Sequence, residues 1–122
     1  MRVRAARGAI VAPGNEAEAI LGATRRLLDA LVERNRIDHD DLISILFTAT
    51  DDLDAAFPAE AARRMGLASV PLLCAREIPV AGSMRSVVRV LLHFHTDRGL
   101  ADIVHVYLDG AEALRDDLEP PR

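Results

Sequence analysis

Polar and hydrophobic positions alternate with a period of two over residues 2–12, "RVRAARGAIVA", which predicts a strand with Val3, Ala5, Arg7, Ala9 and Val11 on one face. "PGN" breaks the pattern, and the period then becomes helical. Ile20, Thr24, Leu27, Leu28, Leu31 and Asn35 share one stripe, with Arg25, Asp29, Glu33 and Arg36 outside it. Asn15 is the expected N-cap, and Glu18, three positions on, completes an Asn version of the capping box. "DHDD" opens a turn or short helix before the apolar, β-rich run "LISILFTAT" at 42–50. "DDLDAAF" reads as loop. In "PAEAARRMG", Pro58 lies just inside a helix start and Gly66 just past its end. Residues 69–80, "SVPLLCAREIPV", read as a strand whose Pro71 and Pro79 require an edge or terminal position. "AGS" turns the chain into strands at 87–96 and 102–109, and "GAEALRDDL" ends in a short helical turn.

The predicted order β-α-β-α-β-β-β-α describes an α/β or α+β domain of about five strands. At 122 residues the chain is expected to form a single domain spanning residues 1–122. Half of the residues are hydrophobic and 28% are charged, a soluble globular balance; with three Phe, one Tyr and no Trp, the core must be aliphatic. The net charge of −4 disfavours nucleic acid as a partner. All fifteen basic residues are Arg, so placement rather than abundance carries any argument about arginine. A single Cys excludes an intrachain disulfide and a multi-cysteine metal site. No apolar run approaches ~18 residues and "MRVRAARGAI" lacks a signal-peptide core, so no membrane association and a cytoplasmic location are expected.

Within residues 87–96, Val88, Val90, Leu92 and Phe94 form an apolar face, and Val87, Arg89, Leu91, His93 and His95 a mixed one. Arg89 therefore points away from the helix-covered core. A guanidinium cannot be neutralised to escape burial, so Arg89 needs a carboxylate or an anionic ligand. Glu77 in the preceding strand is the obvious candidate, either as a structural ion pair or as part of a site. Cys74 reads as a small buried hydrophobe, with no His spaced to activate it. His93 and His95 stand two apart on one face, but no third ligand completes a metal site. Tyr107 shares a face with Ile103 and His105, and its hydroxyl needs a partner if buried. Four arginines, Arg7, Arg63, Arg89 and Arg115, together suit an anion with more than one carboxylate.

The segments "RGA" (7–9), "TATDDLDAAFPAEAAR" (48–63), "VPLLCAREIPVAGSMRSVVRVLLH" (70–93) and "HVYLDGAEALRDDL" (105–118) resemble the monofunctional trimeric chorismate mutases, which are unrelated to the all-helical kind. The resemblance runs nearly end to end, and its most specific parts are the "C-x-x-E…R-V" spacing and the "HVYL…A-x-x-LR-x-DL" tail. It implies an α+β fold with a five-stranded mixed β-sheet and helices packed on one side. Three subunits then form a pseudo-α/β-barrel homotrimer with an active site at each interface. It implies the Claisen rearrangement of chorismate to prephenate on the route to phenylalanine and tyrosine, with no cofactor and no metal. By resemblance, Arg89 stands beside the ether oxygen of the breaking bond. Arg7 and Tyr107 hold the enolpyruvyl carboxylate, and Glu77 and Cys74 lie near the ring hydroxyl, with Leu73 beside them. Phe57, Arg63, Leu114 and Arg115 complete the pocket from the neighbouring subunit. Two positions depart from the family's pattern: Glu60 stands where a lysine is common and Leu73 where a threonine occurs.

Such a rearrangement asks the protein for orientation and for charge stabilisation, not for a nucleophile or a proton. Two other readings stay open on sequence grounds. One is a non-catalytic trimeric module that binds small anions. The other is a trimer like the enamine/imine deaminases, which also carry interfacial sites.

Overall fold

A computed structural model of the chain describes residues 1–117. The tail "LEPPR" lies outside the described residues. Strand β1 (Arg2–Val11) leads to helix α1 (Ala17–Arg34), then β2 (Leu42–Ala49), the short helix α2 (Ala59–Arg64), β3 (Leu72–Arg76), β4 (Val87–Thr96) and β5 (Val106–Leu108). Short 3-10 turns occupy His39–Asp41, Leu100–Asp102 and Ala111–Asp117. The strands form one mixed sheet in the order β3-β2-β4-β1-β5. Strand β4 runs antiparallel to both β1 and β2, while β5 and β3 add in parallel at the two edges.

Both α-helices cover the same face. The stripe predicted from periodicity is the one buried: Ile20, Thr24, Leu27, Leu28, Leu31 and Asn35 all lie inside. They pack on Ala6 and Ile10 of β1, Ile45 and Phe47 of β2, and Val88, Val90, Leu92 and Phe94 of β4. Gly8 sits under this contact, where an added Cβ would stand 2.5 Å from the Val106 carbonyl oxygen and 2.8 Å from Leu27. Only glycine lets α1 and β5 approach β1 this closely. Helix α2 ends where the sequence predicts: Gly66 takes φ +87°, and the Leu67 and Gly66 N–H groups donate to the Ala62 and Arg63 carbonyls at 3.0 and 3.1 Å.

Three expectations are corrected. Asn15 does not cap α1. The helix starts after Glu16, without a side-chain cap. The Asn15 carboxamide instead accepts from the Asp54 and Ala55 N–H groups (2.9 and 3.1 Å) and donates to the Asp54 carboxylate (2.8 Å), tethering the loop after β2. The strand expected at 69–80 shortens to Leu72–Arg76, because Pro71 and Pro79 cannot donate to a ladder. The strand expected at 102–109 shortens to Val106–Leu108, with a 3-10 turn at Leu100–Asp102 before it. None of the described helices is long and apolar enough to cross a membrane.

The second face of the sheet is largely open. Among the described residues, the turn at Ala111–Asp117 lies across one end of it, where Ala111 and Leu114 pack with Ala9, Val87 and Tyr107. Val3 and Leu73 stand well exposed on the rest.

Candidate active site

The registers place Tyr107, Ala9, Arg89, Thr48 and Ala75 in one row across all five strands. Residues in register share a face, so this row lies on the open side of the sheet. Ala9 separates Tyr107 from Arg89, whose Cα atoms stand about 10 Å apart, two strand spacings. Arg7, two residues before Ala9, is diagonal to Arg89 at about 7–8 Å.

Arg89 and Glu77 meet. The Arg89 Nε–H donates to Glu77 Oε2 at 3.0 Å, and the Thr48 hydroxyl donates to the same oxygen at 2.8 Å. The Arg89 side chain is 42% exposed and the Glu77 side chain 16%. A half-exposed ion pair of this kind stabilises a fold by roughly 0–1 kcal/mol. That is too little to explain a permanent charge among Val87, Val88 and Val90. Among the described residues, Glu77 is the only partner of the Arg89 guanidinium, so both Nη groups remain available to an anion.

A second group forms beside the first. Leu114 and Arg115, expected to complete a pocket from a neighbouring subunit, lie against Tyr107 of their own chain. The Arg115 guanidinium lies 5.5 Å from the centroid of the Tyr107 ring. The Arg7 N–H donates to His105 Nδ1 at 3.1 Å, a side-chain rung that extends the short β1–β5 ladder. Burial first, and then the charges of Arg7 and Arg115, hold the His105 imidazole below its ordinary value. Arg7, Arg89 and Arg115 thus line one end of the open face, against Glu77 as the facing carboxylate.

Of the remaining expected residues only Leu73 lies on this face. Phe57 is 73% exposed just before α2, and Arg63, on α2, pairs with Glu60 at 3.1 Å. Phe57 and Cys74 line a cleft of about 520 Å³ together with Thr50, Leu53 and Pro58; Arg89 and Glu77 are not part of it. Cys74 is in register with Phe47, so its thiol packs toward the helix-covered core. Leu73 points the other way and is 61% exposed on the open face.

What Cys74 offers the open edge is its main chain. The Ile45 N–H donates to the Pro71 carbonyl and the Glu77 N–H to the Ala49 carbonyl, both at 3.0 Å. Odd-numbered residues of β3 therefore turn their main-chain groups toward β2, and Cys74, out of phase, turns its N–H and C=O outward.

Three residues escape the sequence reading. Thr48 orients Glu77, and its signal is the strand parity that it shares with Leu46. His105 supports Arg7, and its signal is the spacing of two from Tyr107. Asp52 accepts from the Ser86 N–H (3.0 and 3.2 Å to its two oxygens) and from the Ser86 hydroxyl (3.0 Å), which links the loop after β2 to the start of β4. No local pattern announces it.

Residues 3–118 match the family described as Chorismate mutase type I. The chain is 50% identical over 118 residues to chorismate mutase AroH of Thermus thermophilus, covering 96% of this chain and 97% of that protein. It is 38% identical over 119 residues to chorismate mutase AroH of Bacillus subtilis (strain 168), covering 97% and 94%. The solved structure of a chorismate mutase from Clostridium thermocellum superposes with a TM-score of 0.89 at 49% identity, covering 90% of this chain and 98% of that one.

Proposed function

Given that the chain belongs to the type I chorismate mutase family, we propose that the open sheet face carries its active site, with Arg89 as the donor to the breaking ether bond. The activity is that of a chorismate mutase, an isomerase acting on chorismate. Conversion of chorismate to prephenate leads toward phenylalanine and tyrosine.

The reaction breaks one C–O bond while one C–C bond forms in the same molecule, with no proton transferred and no covalent intermediate. Two tasks are left to the protein. It binds the flexible substrate in its compact, chair-like form, and it places fixed dipoles where charge develops as the ether oxygen separates.

The single observation that carries this reading is the Arg89–Glu77–Thr48 arrangement. Glu77 Oε2 accepts from both Arg89 and Thr48, which fixes the guanidinium plane and turns its Nη edge toward the ligand. A donor that need not reorganise during the reaction is worth several kcal/mol, and each ~1.4 kcal/mol is tenfold in rate. Arg7 and Tyr107 take the enolpyruvyl carboxylate, with Arg115 beside the Tyr107 ring. Glu77 and the outward main chain of Cys74 take the ring hydroxyl, and Leu73 borders them.

Phe57 and Arg63 serve a pocket other than that of their own chain. Both are exposed, and Arg89 is not among the residues lining the cleft that holds Phe57. A homotrimer with its active sites at subunit interfaces accounts for this, since a neighbour's α2 then closes the site over the open face. We place the enzyme in the cytoplasm, where a pathway to phenylalanine and tyrosine would use it.

The test is direct. Purified protein is incubated with chorismate, and loss of the substrate's ultraviolet absorbance is followed together with prephenate formation. Stoichiometric conversion far above the spontaneous rate is expected; conversion at the spontaneous rate sinks the reading.

A further inference from the structure

Strand β4 begins in an unusual way. Ser86, immediately before it, takes φ +61°, a left-handed conformation that a residue with a side chain rarely adopts. Its N–H and hydroxyl are both taken up by Asp52, at 3.0–3.2 Å. The Thr50 hydroxyl donates to Asp52 at 2.5 Å and accepts from the Val87 N–H at 3.0 Å. The Thr50 N–H in turn donates to the Val87 carbonyl at 3.0 Å.

Asp52 and Ser86 themselves bury little apolar surface, since both are only partly covered. What it fixes is the point where β4 starts. Arg89 lies two residues beyond Val87. Glu77 is anchored next door, its N–H on the Ala49 carbonyl at 3.0 Å and its carboxylate on Thr48. The chain that leaves at Glu77 and returns at Ser86 is therefore held at both ends by Thr48–Asp52. The relative placement of Glu77 and Arg89, twelve residues apart in sequence, depends on that hold.

We propose that Asp52 is a positioning residue for the rearrangement: by clamping Ser86 and, through Thr50, Val87, it sets the entry of β4 and so the aim of Arg89. The proposal rests on the reading of Arg89 as the donor to the ether oxygen. Asp52 touches no substrate in this arrangement and acts only through the strand. Burial pushes its carboxyl up, but the hydrogen bonds from Thr50 and Ser86 outweigh that and hold it below the ordinary range. It is thus ionised, as an acceptor of three donors must be, wherever the enzyme works near neutrality.

The test compares Asp52→Asn with the parent, and repeats the comparison with Arg89→Lys in both. Asn keeps the size but cannot accept at both termini, so the clamp loosens without a cavity. A small misplacement of a transition-state donor lowers turnover by about tenfold to a hundredfold, and kcat is expected to fall in that range with KM within about threefold. On the Arg89→Lys background the same substitution is expected to change kcat by less than about twofold, because residues acting as one unit are not additive. A lower melting temperature with unchanged kcat per folded subunit overturns the proposal, as does an equal kcat loss on both backgrounds. If Asp52→Asn does not fold, Ser86→Ala removes one donor of the clamp. It is expected to lower kcat by about threefold to tenfold, and parent turnover in that variant overturns the proposal. Failure of the underlying reading has a different signature, since Arg89→Ala alone would then keep the parent turnover.

Discussion

Arg89 and Glu77 lie twelve residues apart in sequence, and their side chains meet at 3.0 Å on the uncovered face of the sheet. Glu77 engages Nε, so the pair directs the guanidinium without occupying its Nη edge. An arginine that served the fold alone could be replaced by a β-branched apolar residue at small cost. Arg89→Ala is expected to lower kcat at least about a hundredfold to a thousandfold, the range for losing one transition-state donor. Arg89→Lys restores the charge but not the planar fork and should recover only part of this. Steady-state kinetics at saturating chorismate decide the matter, and an alanine variant with parent kcat would falsify the assignment.

Arg7 stands diagonal to Arg89, on the same face and beside Tyr107. If it holds a carboxylate present in both ground and transition states, its removal weakens binding more than turnover. A hydrogen bond to a charged group contributes about 1.5–3 kcal/mol. Arg7→Ala is therefore expected to raise KM by roughly tenfold to a hundredfold with a smaller change in kcat. An unchanged KM counts against the carboxylate role.

How much of this was readable without coordinates follows from the range of each interaction. The two faces of β4 differ in solvation at every second residue, so a period of two sufficed to assign Val88, Val90, Leu92 and Phe94 to the core and Arg89 to the other side. The stripe of α1 was readable for the same reason. Asn15 was misread because a cap is a local pattern, whereas its real partners, Asp54 and Ala55, lie about forty residues on. Distance in sequence also hid Asp52, two of whose three donors sit at Ser86. Cys74 is a different case, since the signal was present. Cys74 and Glu77 are three apart, an odd separation, so in an extended chain they face opposite ways.

That parity leads to a prediction for the thiol. The Cys74 side chain packs toward the core beside Phe47, and only its main chain reaches the open edge. Cys74→Ser changes neither the backbone nor the volume by much. It is expected to keep kcat/KM within a few-fold, with a loss of stability of about 1 kcal/mol from a partly buried hydroxyl. Complete inactivation of a folded variant would show that the sulfur itself is needed.

His105 makes the stability of the β1–β5 seam depend on pH. Its Nδ1 accepts from the Arg7 N–H, so the ring must be unprotonated there. Its folded-state value lies below the ordinary 6.5. A depressed value means that the unfolded chain binds the proton first, so stability rises with pH across that interval. The contribution is fully present above 6.5 and is lost as pH falls from there through the folded-state value. Melting temperatures of the parent and of His105→Gln, measured from pH 8 down to about pH 5, are expected to diverge at the high end and converge as the parent's histidine protonates. Parallel curves would remove His105 as the source.

A trimeric assembly would tie these residues together. Val3 and Leu73 leave apolar surface on a face that holds three arginines, and Phe57 is 73% exposed just before α2. Surface of that kind on a monomer marks an interface. If a neighbour's Phe57 and Arg63 close the site over Arg89, no single chain holds a complete pocket. Sedimentation is expected to give a particle of about three times the 13.3 kDa chain, and dilution below the assembly threshold should abolish specific activity in step with dissociation. A mixed assembly supplies the sharper measurement. Subunits carrying Arg89→Ala and subunits carrying Arg63→Ala, each inactive alone, should regain activity when dissociated and reassociated together. A minority of interfaces then pair an intact Arg89 with an intact Arg63. Recovery on mixing requires a site shared between chains, whereas no recovery from stable mixed trimers would overturn the shared site.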